Sequence, residues 1–227
     1  MSSGFVHLHT HSSYSPMWGI PTLEALCQAA RTQGQDRLAL TDTNGLYGAI
    51  RFLEVAKHEG LKPILGAELV HKAHRAVLLA KTPAGYANLC RLLSARHEES
   101  TFDFIAAVAR YRAGLIILSD DLSALRTWRK DSPKDVYVEL TPGSDIQEAI
   151  TFSRRNGLSP VATTRAACLH PTDFEAHRLL RAIADNTTLS RLRPERCCAP
   201  SHWLMPPTVI ERYLPHVSEA LTNSRRI

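Results

Sequence analysis

Short runs rich in Leu, Ile, Val and Ala recur along this chain, and most are separated by stretches that begin and end like helices. This alternation constrains the fold most, because parallel strands need crossovers of helical length. The candidate strands are residues 6–11, 37–41, 63–68, 75–80, 114–118, 136–140 and 160–163. Helices are predicted over 21–32, 47–58, 84–95, 104–112, 123–129, 145–156 and 171–184, with 207–224 mostly helical. Pro21 suits a first helical turn, and Gly60 and Gly157 suit helix ends. About seven such units in 227 residues suit a closed or nearly closed, largely parallel barrel. A doubly wound open sheet is the alternative. No linker or repeat interrupts the pattern, so residues 1–227 read as one domain.

Hydrophobic residues make up 44% of the chain, enough for a core, and the 7% aromatic content makes that core mostly aliphatic. The net charge of +5 permits nucleic-acid contact but reads first as ordinary solubility. No apolar run is long enough to span a membrane, and Met1-Ser2-Ser3-Gly4 does not open a signal peptide, so a cytoplasmic protein is expected. The cysteines are Cys27, Cys90, Cys168, Cys197 and Cys198, an odd number without zinc-motif spacing, and reduced thiols are expected. Cys27 and Cys90 fall in predicted helices and read as buried.

Within the first candidate strand, His7, His9 and His11 alternate, and period-two geometry would turn all three to one face. Polar residues then follow successive strands: Asp42-Thr43-Asn44, Glu68, Ser119-Asp120-Asp121, and Thr164-Arg165. In a parallel barrel, functional groups gather past the C-terminal ends of strands, and imidazoles with carboxylates suit zinc, manganese or iron. The structural alternative is that Asp42 and Asp121 cap helices and the histidines are satisfied core residues.

The runs His7-Leu8-His9-Thr10-His11-Ser12, Leu40-Thr41-Asp42, Asn44-Gly45-Leu46-Tyr47-Gly48 and Gly66-Ala67-Glu68 resemble the PHP (polymerase and histidinol phosphatase) domain. More narrowly, they are similar to the PHP domain that begins the alpha subunit of bacterial family C DNA polymerases, the DNA polymerase III type. Val77-Leu78-Leu79-Ala80-Lys81, His170-Pro171-Thr172-Asp173 and the helical stretch near the end extend the likeness over essentially the whole chain. The resemblance implies a distorted seven-stranded (β/α) barrel whose rim holds up to three metals. In active members that rim hydrolyses phosphoesters, including DNA 3′-ends. Residues 207–227 would lead toward a polymerase core.

The family's ligand positions, carried over singly, are only partly kept. His9, His11 and Glu68 match. Asp121 stands where a ligand is usual and is retained as a candidate. Trp18, Thr43, Arg75, Arg165 and Ala167 fall on the other positions, with His74 beside Arg75. Without metal, Glu68 and Asp121 would repel each other, and Arg75 and Arg165 are the cations expected to neutralise them. Buried pairs of that kind need not add net stability, but losing one partner is costly. The alternative leaves both arginines in solvent.

A catalytically degenerate PHP module is therefore expected, one that scaffolds a polymerase core and contacts DNA and proofreading or clamp subunits. No cofactor is expected; if one is held, it is zinc or manganese on His9, His11, Glu68 and Asp121. The alternatives are a metal-dependent phosphoesterase or 3′–5′ exonuclease with a reduced site, and a stand-alone nucleic-acid-binding or regulatory protein. His170 and His177 read as local residues of a helix start. Arg191, Arg193 and Arg196 read as a solvated loop first and a DNA-backbone contact second.

Overall fold

The two residues Lys72 and Ala73 decide the centre of the sheet. They are all that separates β2 (Lys62–His71) from β3 (His74–Ala80), too few for a crossover, so these strands pair antiparallel as a hairpin. A computed structural model describes residues 4–98 and 101–227, apart from the side chain of Asp131. Met1-Ser2-Ser3, part of the run read as lacking a signal peptide, lies outside the described residues. The remaining strands are β1 (Arg37–Leu40), β4 (Leu115–Ser119), β5 (Val136–Leu140) and β6 (Ser159–Ala162), and the six lie in sequence order in one curled sheet, a half-barrel. β3 and β4 are also antiparallel, while β1–β2, β4–β5 and β5–β6 are parallel.

The expected first strand is where the structure departs from the sequence reading. Residues 5–11 form no regular strand, which leaves six strands among the described residues rather than seven. The segment nevertheless lies between the sheet's two edges. Ala39 N donates to His7 O and Thr41 N to Thr10 O on one side, and Ala166 N donates to His9 O and His11 N to Ala166 O on the other. Four residues from His7 to Thr10 therefore oppose three from Ala39 to Thr41, a bulge-like mismatch. Threonine hydroxyls take over the missing ladder bonds: Thr10 N donates to Thr41 Oγ1 at 2.9 Å, and Thr10 Oγ1 donates to Ala39 O.

The helices are α1 (Leu23–Thr32), α2 (Ala49–His58), α3 (Pro83–Glu98), α4 (Phe104–Tyr111), α5 (Leu122–Asp131), α6 (Ile146–Asn156), α7 (Phe174–Ala184), α8 (Pro207–Tyr213) and α9 (Ser218–Arg226). Side chains from N-cap residues Thr22, Asp103, Asp121 and Asp145 accept from the first turns of α1, α4, α5 and α6. Expected as one stretch, 207–224 splits at Pro215, which cannot supply an interior helical N–H. α1 and α2 pack Leu26, Phe52 and Val55 with Leu38 and Leu40 of β1. α3 to α6 cover the outer face of the later strands, and Val6, Leu8, Val77, Leu118 and Val161 fill the inside. α9 ties the chain ends together: Asn223 Nδ2 donates to Pro160 O, Ser224 Oγ accepts from Val6 N, and Arg225 pairs with Asp36. Cys27 is buried as expected, whereas Cys90 is half-buried. Among the described residues, no helix is long and apolar enough to cross a membrane.

Candidate functional site

The mismatch in residues 5–11 changes which histidines meet. Leu8 packs with Val77 and Leu118 inside the sheet, and the next residue, His9, also turns inward to Glu68 and Glu139. His7 does not join them, contrary to strict alternation. Its Nδ1 lies 3.2 Å from Thr164 Oγ1 and its Nε2 3.2 Å from Gln33 Oε1. Burial pushes the His7 pKa down to about 4, so it is a neutral, satisfied residue at neutral pH.

His9, His11 and Glu68 converge, with one ligand atom from each lying within 4.8 Å of the others. His9 Nδ1–H donates to Glu139 Oε1 at 2.6 Å, which leaves Nε2 facing Glu68 Oε1 at 3.4 Å. Ser15 gives its hydroxyl proton to Asp42 Oδ1, so it accepts from His11 Nδ1 at 3.2 Å. His11 Nε2 is then the bare nitrogen, 3.7 Å from Glu68 Oε2. Both Nε2 atoms are buried without a hydrogen-bond partner. Two imidazole nitrogens aimed at one carboxylate need a cation between them, either a proton or a metal ion. The donor set fits zinc or manganese, and the Glu139–His9 bond is the outer-shell contact that orients a metal-binding imidazole.

Protons also favour one member. Burial alone would lower the His9 pKa, but Glu139 and Glu68 raise it overall. Burial pushes His11 down to about 3; Glu68 and Glu139 pull the other way, while the His9 and Arg165 charges add to the lowering. Glu68 is held below the usual carboxylate range: burial opposes this, while His11, His9 and Arg165 enforce it.

Arg165 is the second component. Its guanidinium is buried, and Nη2 donates to Glu139 Oε2 at 2.8 Å and to Asp120 Oδ2 at 3.0 Å. Arg75 donates to the same Asp120 through Nε at 3.2 Å and Nη2 at 2.6 Å. Arg165 has φ +46, a left-handed conformation that a non-glycine residue adopts at a cost of about 1 kcal/mol or more. Burial opposes ionisation of Glu139 and Asp120, yet Arg165 keeps both carboxyls below their ordinary range.

The expected pairing is thus corrected in its acids. Arg75 and Arg165 hydrogen-bond to Asp120 and Glu139 rather than to Asp121 and Glu68, although the Arg165 charge still helps to hold Glu68 ionised. The structure does not bring Asp121 into the His9–His11–Glu68 group. Its Oδ1 caps α5 through Ser123 N and Ala124 N, and its Oδ2 accepts from His74 Nδ1 at 2.6 Å. As the N-cap of α5, it is turned to the backbone.

Other substituted positions surround the group. Thr43 Oγ1 donates to Glu68 Oε2 at 3.1 Å. Trp18 lies edge-on to His11, with ring centres 6.4 Å apart, and to His177 at 5.0 Å. Ala167 is buried and its N donates to His202 O. His177 proves long-range rather than local: Nδ1 donates to Trp18 O at 2.8 Å and Nε2 accepts from Cys198 N at 2.9 Å. Glu139 and His202 escaped sequence reasoning. Glu139 sits inside a strand, with Val138 and Leu140 facing the outer layer, so strict alternation around a buried Glu was its available signal.

An α/β half-barrel with imidazoles and carboxylates gathered inside one end defines the class. The PHP domain description matches residues 7–141, more than half of the sequence, and the chain belongs to that family. It is 31% identical to the DNA polymerase III subunit alpha of Pasteurella multocida, over 82% of this chain and 19% of the relative. It is 30% identical to the error-prone DNA polymerase of Symbiobacterium thermophilum, over 98% of this chain and 25% of the relative. The Pseudomonas aeruginosa DNA polymerase III subunit alpha is 27% identical over 100% of this chain and 22% of its own length. The chain thus spans about a fifth to a quarter of the curated relatives it matches. Among solved structures, a two-domain Bacteroides vulgatus protein containing a predicted PHP-like metal-dependent phosphoesterase superposes with TM-score 0.52 at 14% identity. That match covers 73% of this chain and 54% of the other and bears on the fold alone.

Proposed function

We propose that this chain is a PHP module of a DNA polymerase III alpha-type protein whose phosphoesterase site is dismantled and whose role is to scaffold a polymerase core. In this reading residues 1–227 are one domain, and the N-terminal segment takes the place of the seventh barrel strand. The observation that carries it is Arg165, a buried cation bonded to Glu139 and Asp120 beside His9, His11 and Glu68. A fixed guanidinium neutralises carboxylates without offering an open coordination position, and its charge opposes a dication nearby. Hydrolysis of a phosphoester needs both a metal-activated water and room for the phosphate.

The orphaned Nε2 atoms of His9 and His11 favour a second reading, a reduced metal site with phosphoesterase or 3′–5′ exonuclease activity. A bound zinc or manganese ion would supply Lewis-acid chemistry and an activated water there. His9 and His11 would hold it through Nε2, Glu68 through its carboxylate, and Glu139 would fix the His9 tautomer. Metal analysis of purified protein, with nitrophenyl phosphate and single-stranded DNA as substrates, separates the two readings. The scaffold reading predicts no metal-dependent turnover. Turnover that zinc or manganese restores after chelation, and that His9→Ala abolishes, would overturn it.

A further inference from the structure

Several basic residues are engaged within the fold. Arg196 holds Asp185 with two bonds of 2.6 Å, Arg96 donates to Val70 O, and Arg91 donates to Asn88 Oδ1. α5 from its middle onward and the last turn of α6 differ. Arg126, Arg129, Lys130, Arg154 and Arg155 make no ion pair with any described carboxylate, and all but the half-buried Arg129 are exposed. The two helices are neighbours in successive β/α units and run the same way, so their basic ends lie together. Arg126 stacks over Phe152 of α6, 5.6 Å from the ring centre, and Arg129 Nη1 reaches Asn156 O at 3.4 Å. These contacts hold the two ends as one array.

Cations at a helix C-terminus complement its dipole, but that effect fades within the last turn. It does not account for Arg126, which lies near the middle of α5, or for arginines from two helices meeting at one seam. Among the described residues the large exposed apolar side chains, Tyr14, Met17, Tyr47, Ile50, Leu179, Ile183, Leu189 and Tyr213, all lie off α5 and α6. The array therefore offers charge without a base-stacking platform, which suits a duplex backbone rather than a single strand.

We propose that the basic ends of α5 and α6 form a docking surface for the phosphate backbone of duplex DNA. Choosing DNA among polyanions rests on the polymerase-module reading; the location rests on the unpaired cations. In the 191–196 loop Arg196 is held by Asp185, which leaves a smaller group of two cations, Arg191 and Arg193, without an ion pair to a described carboxylate.

Fluorescence anisotropy of a labelled duplex, titrated between about 50 and 200 mM salt, tests the surface. The unaltered chain binds at low salt with a steep salt dependence. Lys130→Glu with Arg155→Glu lowers affinity about tenfold or more at low salt and reduces the salt slope by about two. The neutral pair Lys130→Gln with Arg154→Gln gives a smaller loss of the same kind. Arg191→Glu with Arg193→Glu, an equal charge change elsewhere, leaves affinity within about twofold. Thermal melts of all variants match the parent. No binding by the parent, equal losses from both reversal pairs, or binding to phosphatidylserine vesicles in place of DNA would each overturn the proposal. An inert chain with no DNA affinity would remove this surface while leaving the scaffold reading intact, since metal content and turnover decide that separately.

Discussion

Arg165 concentrates the physics of the site in one side chain. Its backbone sits in the left-handed region, next to Ala166, which donates to His9 O and accepts from His11 N, and its guanidinium bridges two carboxylates. Removing it would leave the buried Glu139 without its cation and the half-buried Asp120 with Arg75 alone. Arg165→Ala is therefore expected to destabilise the fold by about 3–5 kcal/mol. Differential scanning calorimetry should show a melting temperature lower by many degrees, and an unchanged value would show that the cation carries no structural role. The sequence exposed Arg165 as a cation at an expected ligand position but did not reveal its acids. Asp120 and Asp121 are adjacent, and only the start of α5 determines which one caps the helix and which one faces Arg75 and Arg165.

At the scale of elements, most helices and six strands were legible because their apolar periodicity and caps agree with their packing. The N-terminal segment was not, because its bonds depend on Thr10 and Thr41 hydroxyls that no periodicity reports. Thr41 Oγ1 accepts from Thr10 N at 2.9 Å and donates to Thr10 O at 3.0 Å. Thr41→Val keeps the shape and orphans a buried amide, so it should cost about 1–3 kcal/mol. Urea unfolding would register this as a lower midpoint at unchanged slope. At the start of α3, Gly85 lies so close to the Gly114 carbonyl that an added Cβ would overlap backbone. Gly85→Ala should consequently push α3 off β4 and lower stability, despite alanine's better helix propensity. A stabilised Gly85→Ala protein would contradict that packing.

For the whole molecule, buried imidazoles set the response to acid. Burial lowers His7 from 6.5 to about 4, and burial with Arg165 nearby lowers His202 to about 3. These bases stay neutral in the fold and take a proton on unfolding below 6.5, so stability falls as pH drops from about 6.5 toward 4 and 3. Glu139 and Asp120 act in the same direction lower down, because their depressed pKa values give stability that is lost as pH falls below the usual carboxylate range. His9 opposes this: its raised pKa favours the fold at low pH and ceases to do so as pH rises. With several lowered histidines against one raised, the urea midpoint should fall between pH 7.5 and 5. His7→Gln should flatten that fall, and a midpoint that rises on acidification would contradict the assignment.

Residue order alone specifies the alternation of strands and helices, the family likeness carried by His9, His11 and Glu68, and the loss of other ligand types around them. Those are properties of residue order and spacing, which local propensity reads directly. The tertiary structure alone decided that His7 turns away, that Glu139 joins the site from inside β5, and that Asp120 rather than Asp121 shares the two arginines. Each of those outcomes depends on a register mismatch, a helix cap or a contact across more than a hundred residues. Such relations have no period along the chain, and they arise only when the sheet curls and brings its edges together.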